Sequence, residues 1–446
     1  MRRVMLLLIL AMPAAAAAQG PAPLTLDEAV RLALERNPSM HAARAASDEA
    51  AARVTQARAG YLPRVDVMEG WQRSNQPVFV FGSLLGQRRF TAADFALGAL
   101  NHPSALSNHR TAIFVEQPLF DGGRTKAATR AARLGAGAAD LDETIAAANL
   151  RLEVVTAFGR VAASRATRAA AEAGVDTARE DLRTAEARRD AGTETEANVL
   201  AFRVRLAEAE ARIVRAGQDA SVARATLNAA IGAPLDEERP VADSGVAAPR
   251  EVDAAALEAK AVASRPELAQ AAARRDQSRA AQMAARSGLL PQVAVQAGAE
   301  TNSDTVWNGA SSWSAGVQVR WNLFAGGGNM ARVREAAAAA RRRDAEYEGL
   351  ETALRLEVRT ATAAYRSALA REAAERRIVE QARESQRMVR DRYEAGLSQA
   401  ADVLRAAELV AQAEAARTAA LMDLQVTAAA LDRAVGSRQQ AAGSKQ

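Results

Sequence analysis

The chain has 446 residues, of which 49% are hydrophobic, 4% aromatic and 25% charged, with a formal net charge of +5 and no cysteine. Alanine is the most abundant residue, so the hydrophobic content is mostly small side chains, which disfavours a thick globular core and favours long, closely packed helices. The mild positive charge forms no compact Lys/Arg cluster with aromatics, which argues against a nucleic-acid partner, and the lack of cysteine excludes disulfides, cysteine-bound metals and lipid attachment through an N-terminal cysteine.

The first 18 residues have the pattern of a secretory signal peptide. Arg2 and Arg3 precede the apolar run Leu6–Leu10, and Ala16–Ala18 supply small residues before a cleavage site. We therefore predict that residues 1-18 are removed on export. No later stretch approaches the roughly 20 uninterrupted apolar residues that a membrane-spanning helix needs, which argues against an inner-membrane protein.

The rest of the chain contains two copies of one long unit. Ala59–Pro63 resembles Ser287–Pro291 at an offset of 228 residues, and Pro118–Gly123 resembles Asn322–Gly327 at an offset of 204. The copies therefore differ in length by 24 residues between these motifs and stay in register afterwards. We predict a first repeat at 24-232, a Pro-rich linker at 233-253, a second repeat at 254-436 and a short polar tail at 437-446.

Each repeat is expected to consist mainly of long helices. Thr25–Glu28 forms a capping box before an amphipathic helix, and about 69 proline-free residues separate Gly123 from Gly192, enough for a rod of roughly 100 Å. A three-four spacing of apolar residues indicates coiled-coil packing at Val199, Phe202, Leu206, Ala209 and Ile213, and again at Leu421, Leu424, Ala428, Leu431 and Val435. An ordinary globular helical bundle is the alternative, because heptads alone do not fix the oligomeric state.

Short segments between the helices have a period of two. In residues 312-323 one face carries Trp313 and Val317, whereas the other carries Gln318 and Arg320. Such alternation, with tryptophan near the ends, is typical of a membrane-spanning barrel strand, and a soluble two-stranded hairpin on a helical stalk is the alternative. Weaker alternation predicts further strands at about 64-71, 111-120 and 291-300. Four strands cannot close a barrel, so other copies must complete the sheet, and three copies would supply twelve strands.

The length difference between the repeats falls at 76-103, between the two strands of the first repeat. This predicted external loop contains seven bulky apolar residues: Phe79, Val80, Phe81, Leu84, Leu85, Phe90 and Phe95. They either pack as a lid over the mouth of the assembly or bind an external ligand such as a phage or glycan. We favour packing, because so many apolar side chains in one loop need burial.

The order of these elements resembles the TolC-type outer membrane efflux protein family, also called outer membrane factors. The resemblance covers roughly residues 24-436 and rests on the two tandem units, on Gln117–Gly123 and Trp321–Gly327 at the strand-to-helix corners, and on Arg392–Ser398 at a hairpin tip. It implies a mainly α fold with a membrane β-barrel. In such a homotrimer, four strands per chain complete a 12-stranded barrel in outer membrane lipid, continued by a long α-helical coiled-coil barrel.

The resemblance further implies the exit duct of a tripartite efflux or type I secretion system, which works passively with a periplasmic adaptor (membrane fusion) protein and an inner-membrane pump. It places the protein in the outer membrane of a Gram-negative bacterium, extending into the periplasm. A structural or adhesive trimeric coiled-coil envelope protein is the alternative, and the return to strands midway along the chain favours the duct. The sequence does not name the cargo, which can be a drug, metal ion, solvent or polypeptide.

The resemblance also implies a gate at the periplasmic tips. Tyr393 and Asp402 flank the second tip glycine, Arg405 stands where many relatives carry a second acid, and Asn198 takes the place of an aspartate in the first repeat. The adaptor-contacting tips are predicted at Gly192, Thr193, Gly396, Leu397 and Ser398. Neither a cofactor, a metal site nor a catalytic constellation is expected, since His41, His102 and His109 are too scattered to bind a metal.

Overall fold

A computed structural model describes residues 23-242, 250-306 and 309-436. The predicted signal peptide, the polar tail and part of the inter-repeat linker lie outside these residues. The helices are α1 (Leu26–Arg36), α2 (Pro38–Arg58), α3 (Pro77–Gly86), α4 (Leu97–Asn101), α5 (Arg124–Asp190), α6 (Glu196–Ile231), α7 (Ala254–Ser264), α8 (Pro266–Ser287), α9 (Gly328–Glu394) and α10 (Ala400–Val435). The strands are β1 (Arg64–Ser74), β2 (Leu106–Phe120), β3 (Gln292–Ser303) and β4 (Ala310–Arg320).

The two repeats fold into matching elements. Helices α5 and α9 both contain 67 residues, and α6 and α10 both contain 36. Each shorter helix ends at a glycine in the left-handed conformation, Gly232 with φ 70° and Gly436 with φ 68°, where a side chain would be strained. The predicted fold of two tandem copies, mainly α with four strands, is confirmed.

The four strands form one antiparallel sheet in the order β1-β2-β3-β4. Because directly paired residues lie on the same face, the register fixes which side chains share a side of the sheet. One row across all four strands is Val65, Val115, Ala297 and Ala315, and the next is Val67, Ile113, Ala299 and Trp313. The sheet therefore has an apolar band that crosses all four strands on one face, and the alternation seen in β4 extends to the other strands over these rows.

The opposite face of the sheet is polar. Arg110 forms a salt bridge with Glu300 at 2.5 Å, and the Gln296 amide donates to Gln318 at 3.2 Å. On the apolar face, by contrast, Trp313 and Val317 have relative exposures of 81% and 68% in the single chain. The sheet therefore presents an uncovered apolar side and a hydrogen-bonded polar side.

The strands differ in extent from the sequence expectation. β1 continues to Ser74 and β2 begins at Leu106, because these residues still pair with each other across the two strands. β4 pairs with β3 only as far as Arg320, and the Trp321 indole nitrogen beyond it donates to the carbonyl of Leu289 at 3.2 Å. The connection between β1 and β2 is also not irregular, since it contains α3 and α4.

The chain divides into two compact units. The first comprises the described parts of 1-40, 147-257 and 358-446, and the second comprises those of 41-146 and 258-357. The first unit contains α1, α6, α10 and the parts of α5 and α9 that lead to the hairpin turns. The second unit contains the sheet. In the part of the chain that the structure describes, no helix combines the length and the apolar character that crossing a membrane requires.

Candidate functional site

Two hairpin turns in the first unit share one backbone geometry. Gly192, between α5 and α6, has φ 78°, and Gly396, between α9 and α10, has φ 77°. In each turn the next residue closes the helix end, with the Thr193 amide donating to Arg188 at 2.9 Å and the Leu397 amide donating to Arg392 at 2.8 Å. Glycine is needed at both positions because the backbone there is left-handed. Gly192, Thr193, Gly396 and Leu397 are exposed, whereas Ser398 is half-buried.

A small apolar core joins the two hairpins just above these turns. Its fully buried members are Ala185 from α5, Val199 and Phe202 from α6, Tyr393 from α9, and Ala400 and Val403 from α10. The rings of Phe202 and Tyr393 lie 6.2 Å apart. The Tyr393 side chain is thereby held within the hairpins and can direct its hydroxyl toward only a few partners.

The hydroxyl of Tyr393 donates to the Glu194 carboxylate at 2.7 Å. Glu194 lies in the other hairpin turn, where it also accepts from the Asn198 amide at 2.6 Å and from the Thr195 backbone N–H at 3.1 Å. Two of the predicted gate residues, Tyr393 and Asn198, are therefore brought together by a third residue. Glu194 connects the first hairpin to the second.

Arg188 adds a positive charge to the same cluster. Its guanidinium donates to the carbonyls of Tyr393 at 2.7 Å and Glu394 at 3.3 Å, and its central carbon lies 4.7 Å from the centre of the Tyr393 ring. The arginine thus contacts both the backbone at the end of α9 and the face of the aromatic ring, a favourable cation–π position. We call Arg188, Glu194, Asn198 and Tyr393 the tip cluster.

The surroundings shift the pKa values of both bonded partners. Partial burial disfavours the Glu194 carboxylate, but the hydrogen bonds from Asn198, Tyr393 and Thr195, with the charge of Arg188, outweigh burial and lower the pKa of Glu194 below its ordinary 4.5. Burial and the adjacent Glu194 raise the pKa of Tyr393 above its ordinary 10.0. The carboxylate therefore stays an acceptor and the phenol a donor over a wide range of pH.

Asp402 and Arg405 occupy a different environment from the tip cluster. Asp402 caps α10, where it accepts from the Ser398 hydroxyl at 3.1 Å and from the Gln399 backbone N–H at 3.3 Å. Arg405 approaches Asp402 only to 4.0 Å, and its side chain is 82% exposed. The structure does not bring either residue to Tyr393. Sequence reasoning assigned neither Glu194 nor Arg188 to the gate, because Glu194 lies in the turn before α6 begins at Glu196 and no helical spacing marks it as a partner.

A second charged group lies further along the same helices. Asp181 of α5 is paired with Arg390 of α9 at 2.8 Å, and its side chain is only 5% exposed. Burial raises the pKa of Asp181 despite the opposing charges of Arg390 and Arg205. The same burial lowers the pKa of Arg205, whose guanidinium donates to the Leu404 carbonyl at 3.4 Å. This group adds a cross-helix contact between α5 and α9 next to the apolar core.

The described residues contain no cluster of His, Asp and Glu side chains that could hold a metal ion.

A family model described as "Outer membrane efflux protein" matches residues 29-233 and 257-437, most of the chain. The chain belongs to the outer membrane efflux protein family. Members of this family are passive exit channels of the outer membrane, so this efflux protein is a channel and not an enzyme.

Individual relatives agree with this membership. Protein CyaE of Bordetella pertussis is 30% identical over 403 residues, which covers 86% of this efflux protein and 78% of CyaE. The outer membrane protein VceC of Vibrio cholerae has the same fold, with a TM-score of 0.75, 19% identity and coverage of 92% and 96% of the two chains. The MtrE outer membrane channel of Neisseria gonorrhoeae also has this fold, with a TM-score of 0.74 and 21% identity. The match covers 92% of this chain and 88% of MtrE.

Acidification is expected to weaken the tip cluster of this efflux protein. Because the pKa of Glu194 is lowered in the folded state, its charge stabilises the joined hairpins above pH 4.5 and this contribution is lost as the pH falls below that value. If the predicted gate lies in the tip cluster, single-channel conductance in planar bilayers should rise below pH 4.5 in the unmodified protein. In Glu194→Gln the same acid-induced rise should be absent, and an equal rise in both proteins would contradict the assignment.

Proposed function

We propose that three copies of this chain assemble into a continuous exit duct, with the sheets completing a barrel in outer membrane lipid and the helices extending into the periplasm. The observation that carries the proposal is the sheet itself. On one face it has an apolar band that crosses all four strands, on the other face it carries ion-paired and hydrogen-bonded side chains, and its two edges, β1 and β4, have no partner strand among the described residues.

A single copy of this sheet cannot span lipid, because the backbone groups of its two edge strands lack hydrogen-bond partners in the described part of the chain. Unpaired backbone groups at a strand edge cost several kcal/mol each in hydrocarbon, so a sheet that faces lipid must close on itself. The edge of β1 from one copy and the edge of β4 from the next supply each other's missing hydrogen bonds. Closure then places the apolar face toward lipid and the polar face, with Arg110 and Glu300, toward a wet interior.

The helical tips are the proposed docking site for a periplasmic adaptor, which in turn contacts an inner-membrane pump. Support comes from the exposure of four of the five predicted contact residues, above all Leu397 at 70%. Within this assembly the tip cluster is the proposed gate, since it holds the two hairpins of each chain together. Tyr393 and Asn198 act through their shared partner Glu194, Asp402 caps the start of α10, and Arg405 lies next to Asp402 at that helix start. The predicted signal peptide at 1-18 would direct the chain out of the cytoplasm, and the lack of cysteine argues against a lipoprotein.

The oligomeric state tests this proposal. The mature chain extracted from outer membranes is expected to behave as a homotrimer that resists detergent and heat, and to conduct ions in planar bilayers. Light scattering with correction for bound detergent gives the mass of the protein part. A monodisperse, detergent-free monomer would contradict the barrel, and a trimer without conductance would instead indicate a structural envelope stalk.

A further inference from the structure

The connection between β1 and β2 is an ordered cap on one end of the sheet. It contains α3, a short 3₁₀ turn at Ala92–Phe95 and α4, whereas the connection between β3 and β4 spans only 304-309. Three phenylalanines, Phe81, Phe90 and Phe95, stack edge to face with ring centres 5.0 Å apart at each step. The connection lies at the end of the strands remote from the corners that lead into α5 and α9. We call residues 75-105 the outer loop.

Buried amides attach the outer loop to the polar face of the sheet. The Gln87 side chain donates to Asn108 at 2.9 Å and to the Ser107 carbonyl at 2.9 Å, and Asn108 donates to Asn302 at 2.8 Å. Gln87, Asn108 and Asn302 are all buried, with exposures of 7%, 8% and 8%. Asn108 and Asn302 have the same facing as Arg110, because Arg110 pairs with Asn302 and lies two residues from Asn108. Arg89 adds an ion pair with Asp304 at 2.5 Å.

The exposed surface of the outer loop carries several apolar side chains. Val80 and Ser83 are buried beneath the loop at 6% and 7% exposure, whereas Val78 and Leu97 are each 78% exposed and Phe95 is 64% exposed. Lipid cannot cover these residues in the assembled barrel, because the loop is attached to the polar face and lipid contacts the opposite face. In the single chain Val78 and Leu97 remain largely exposed, and Phe95 is largely exposed even though one edge of its ring contacts Phe90.

We propose that the apolar surface of the outer loop meets the same surface of the other two copies at the channel axis and forms an apolar constriction at the outer mouth. The inference rests on the proposed three-copy assembly. Closing the barrel turns the polar face inward, which carries all three outer loops into the mouth with Val78, Phe95 and Leu97 facing the axis. Mutual contact removes these side chains from water, and an apolar constriction resists ion passage because water is excluded from it.

The absence of cysteine allows a direct test of this contact. Single variants Leu97→Cys and Val78→Cys are purified as the full chain from outer membranes and treated with copper phenanthroline or a short bismaleimide. Symmetry places the same residue of each copy around the axis, so disulfide-linked or maleimide-linked dimers are expected on denaturing gels. Val317→Cys, exposed on the apolar face of the sheet, is the matched control and should stay unlinked.

A trimer in which neither Leu97→Cys nor Val78→Cys forms a link would overturn the constriction while leaving the proposed duct intact. If no trimer forms, both the constriction and the proposed duct are contradicted. A second measurement uses the double variant Val78→Asp and Leu97→Asp, whose charges should repel one another at the axis and raise single-channel conductance. Ala93→Asp, an exposed position in the same loop, controls for added charge. Unchanged conductance in the double variant would contradict the constriction, even if an external ligand binds the loop.

Discussion

Combining Tyr393→Phe with Glu194→Gln is expected to raise single-channel conductance in planar bilayers without dissociating the assembly. Tyr393→Phe keeps the ring packed against Phe202 and Arg188 and removes only the hydroxyl that donates to Glu194 at 2.7 Å, whereas Glu194→Gln removes the carboxylate charge that accepts this bond. A hydrogen bond to a charged group contributes about 1.5–3 kcal/mol. Because 1.4 kcal/mol is a factor of ten, we expect the equilibrium between joined and separated hairpins to shift by roughly tenfold or more.

Tyr365→Phe provides the matched control for this experiment. Tyr365 is 2% exposed, belongs to the same unit and accepts from the Arg250 backbone N–H at 3.0 Å, but it lies far along α9 from the turn. Its loss should lower thermal stability slightly and leave conductance unchanged. If Tyr365→Phe and the double variant changed conductance equally, a general loosening of the helices would explain the effect and the tip cluster would lose its assigned role.

Placing an arginine on the apolar face of β4 is expected to damage insertion far more than placing one on the polar face. Val317→Arg should cost about 2–4 kcal/mol of folding free energy near the bilayer midplane, because the charge enters hydrocarbon. Gln318→Arg, at the next residue of the same strand, places the same charge in the wet interior and should be tolerated. Folding into lipid vesicles, followed by the heat-dependent shift on gels, measures the difference.

The pair of variants also tests the facing of the whole sheet. Val317 pairs with Val295, and Gln318 pairs with Ala294. Because arginine keeps its backbone N–H and C=O, neither substitution removes a backbone hydrogen bond between the strands. Equal losses at the two positions would mean that the sheet does not separate lipid from water. Greater damage at Gln318 would mean that the faces are reversed, and the outer loop would then be on the lipid side.

Much of the fold could be predicted because its signals are periodic and occur twice. The Gly-containing motif at the strand-to-helix corners occurs twice and predicts the tandem architecture. Alternation in residues 312-323 predicts the strand whose apolar and polar faces are most clearly separated. Short apolar segments offered no such signal. The helix Pro77–Gly86 has a nearly continuous run of apolar residues, in which helix and irregular loop cannot be told apart by period, so the outer loop was predicted without internal helices.

The contacts of the tip cluster could be predicted only in part, for a reason that is also physical. Tyr393 was expected near a carboxylate, but its partner is Glu194, which is 199 residues away in the chain. Which carboxylate meets the hydroxyl depends on how the two hairpins pack, and no local pattern encodes that. Asp402 has a local explanation instead. It stands three residues after Gln399 and forms a capping box with it, a task that follows from spacing along α10 alone.

The bond between Glu194 and Tyr393 lies inside one chain, and this location has a consequence for the kinetics of opening. A lock formed between neighbours would release all three copies together, whereas an internal lock can release each copy at its own moment. In an assembly of three, current records should then contain discrete sublevels between the closed and fully open states. Mixed assemblies that contain one or two Tyr393→Phe chains should dwell in the intermediate levels in proportion to the number of altered chains.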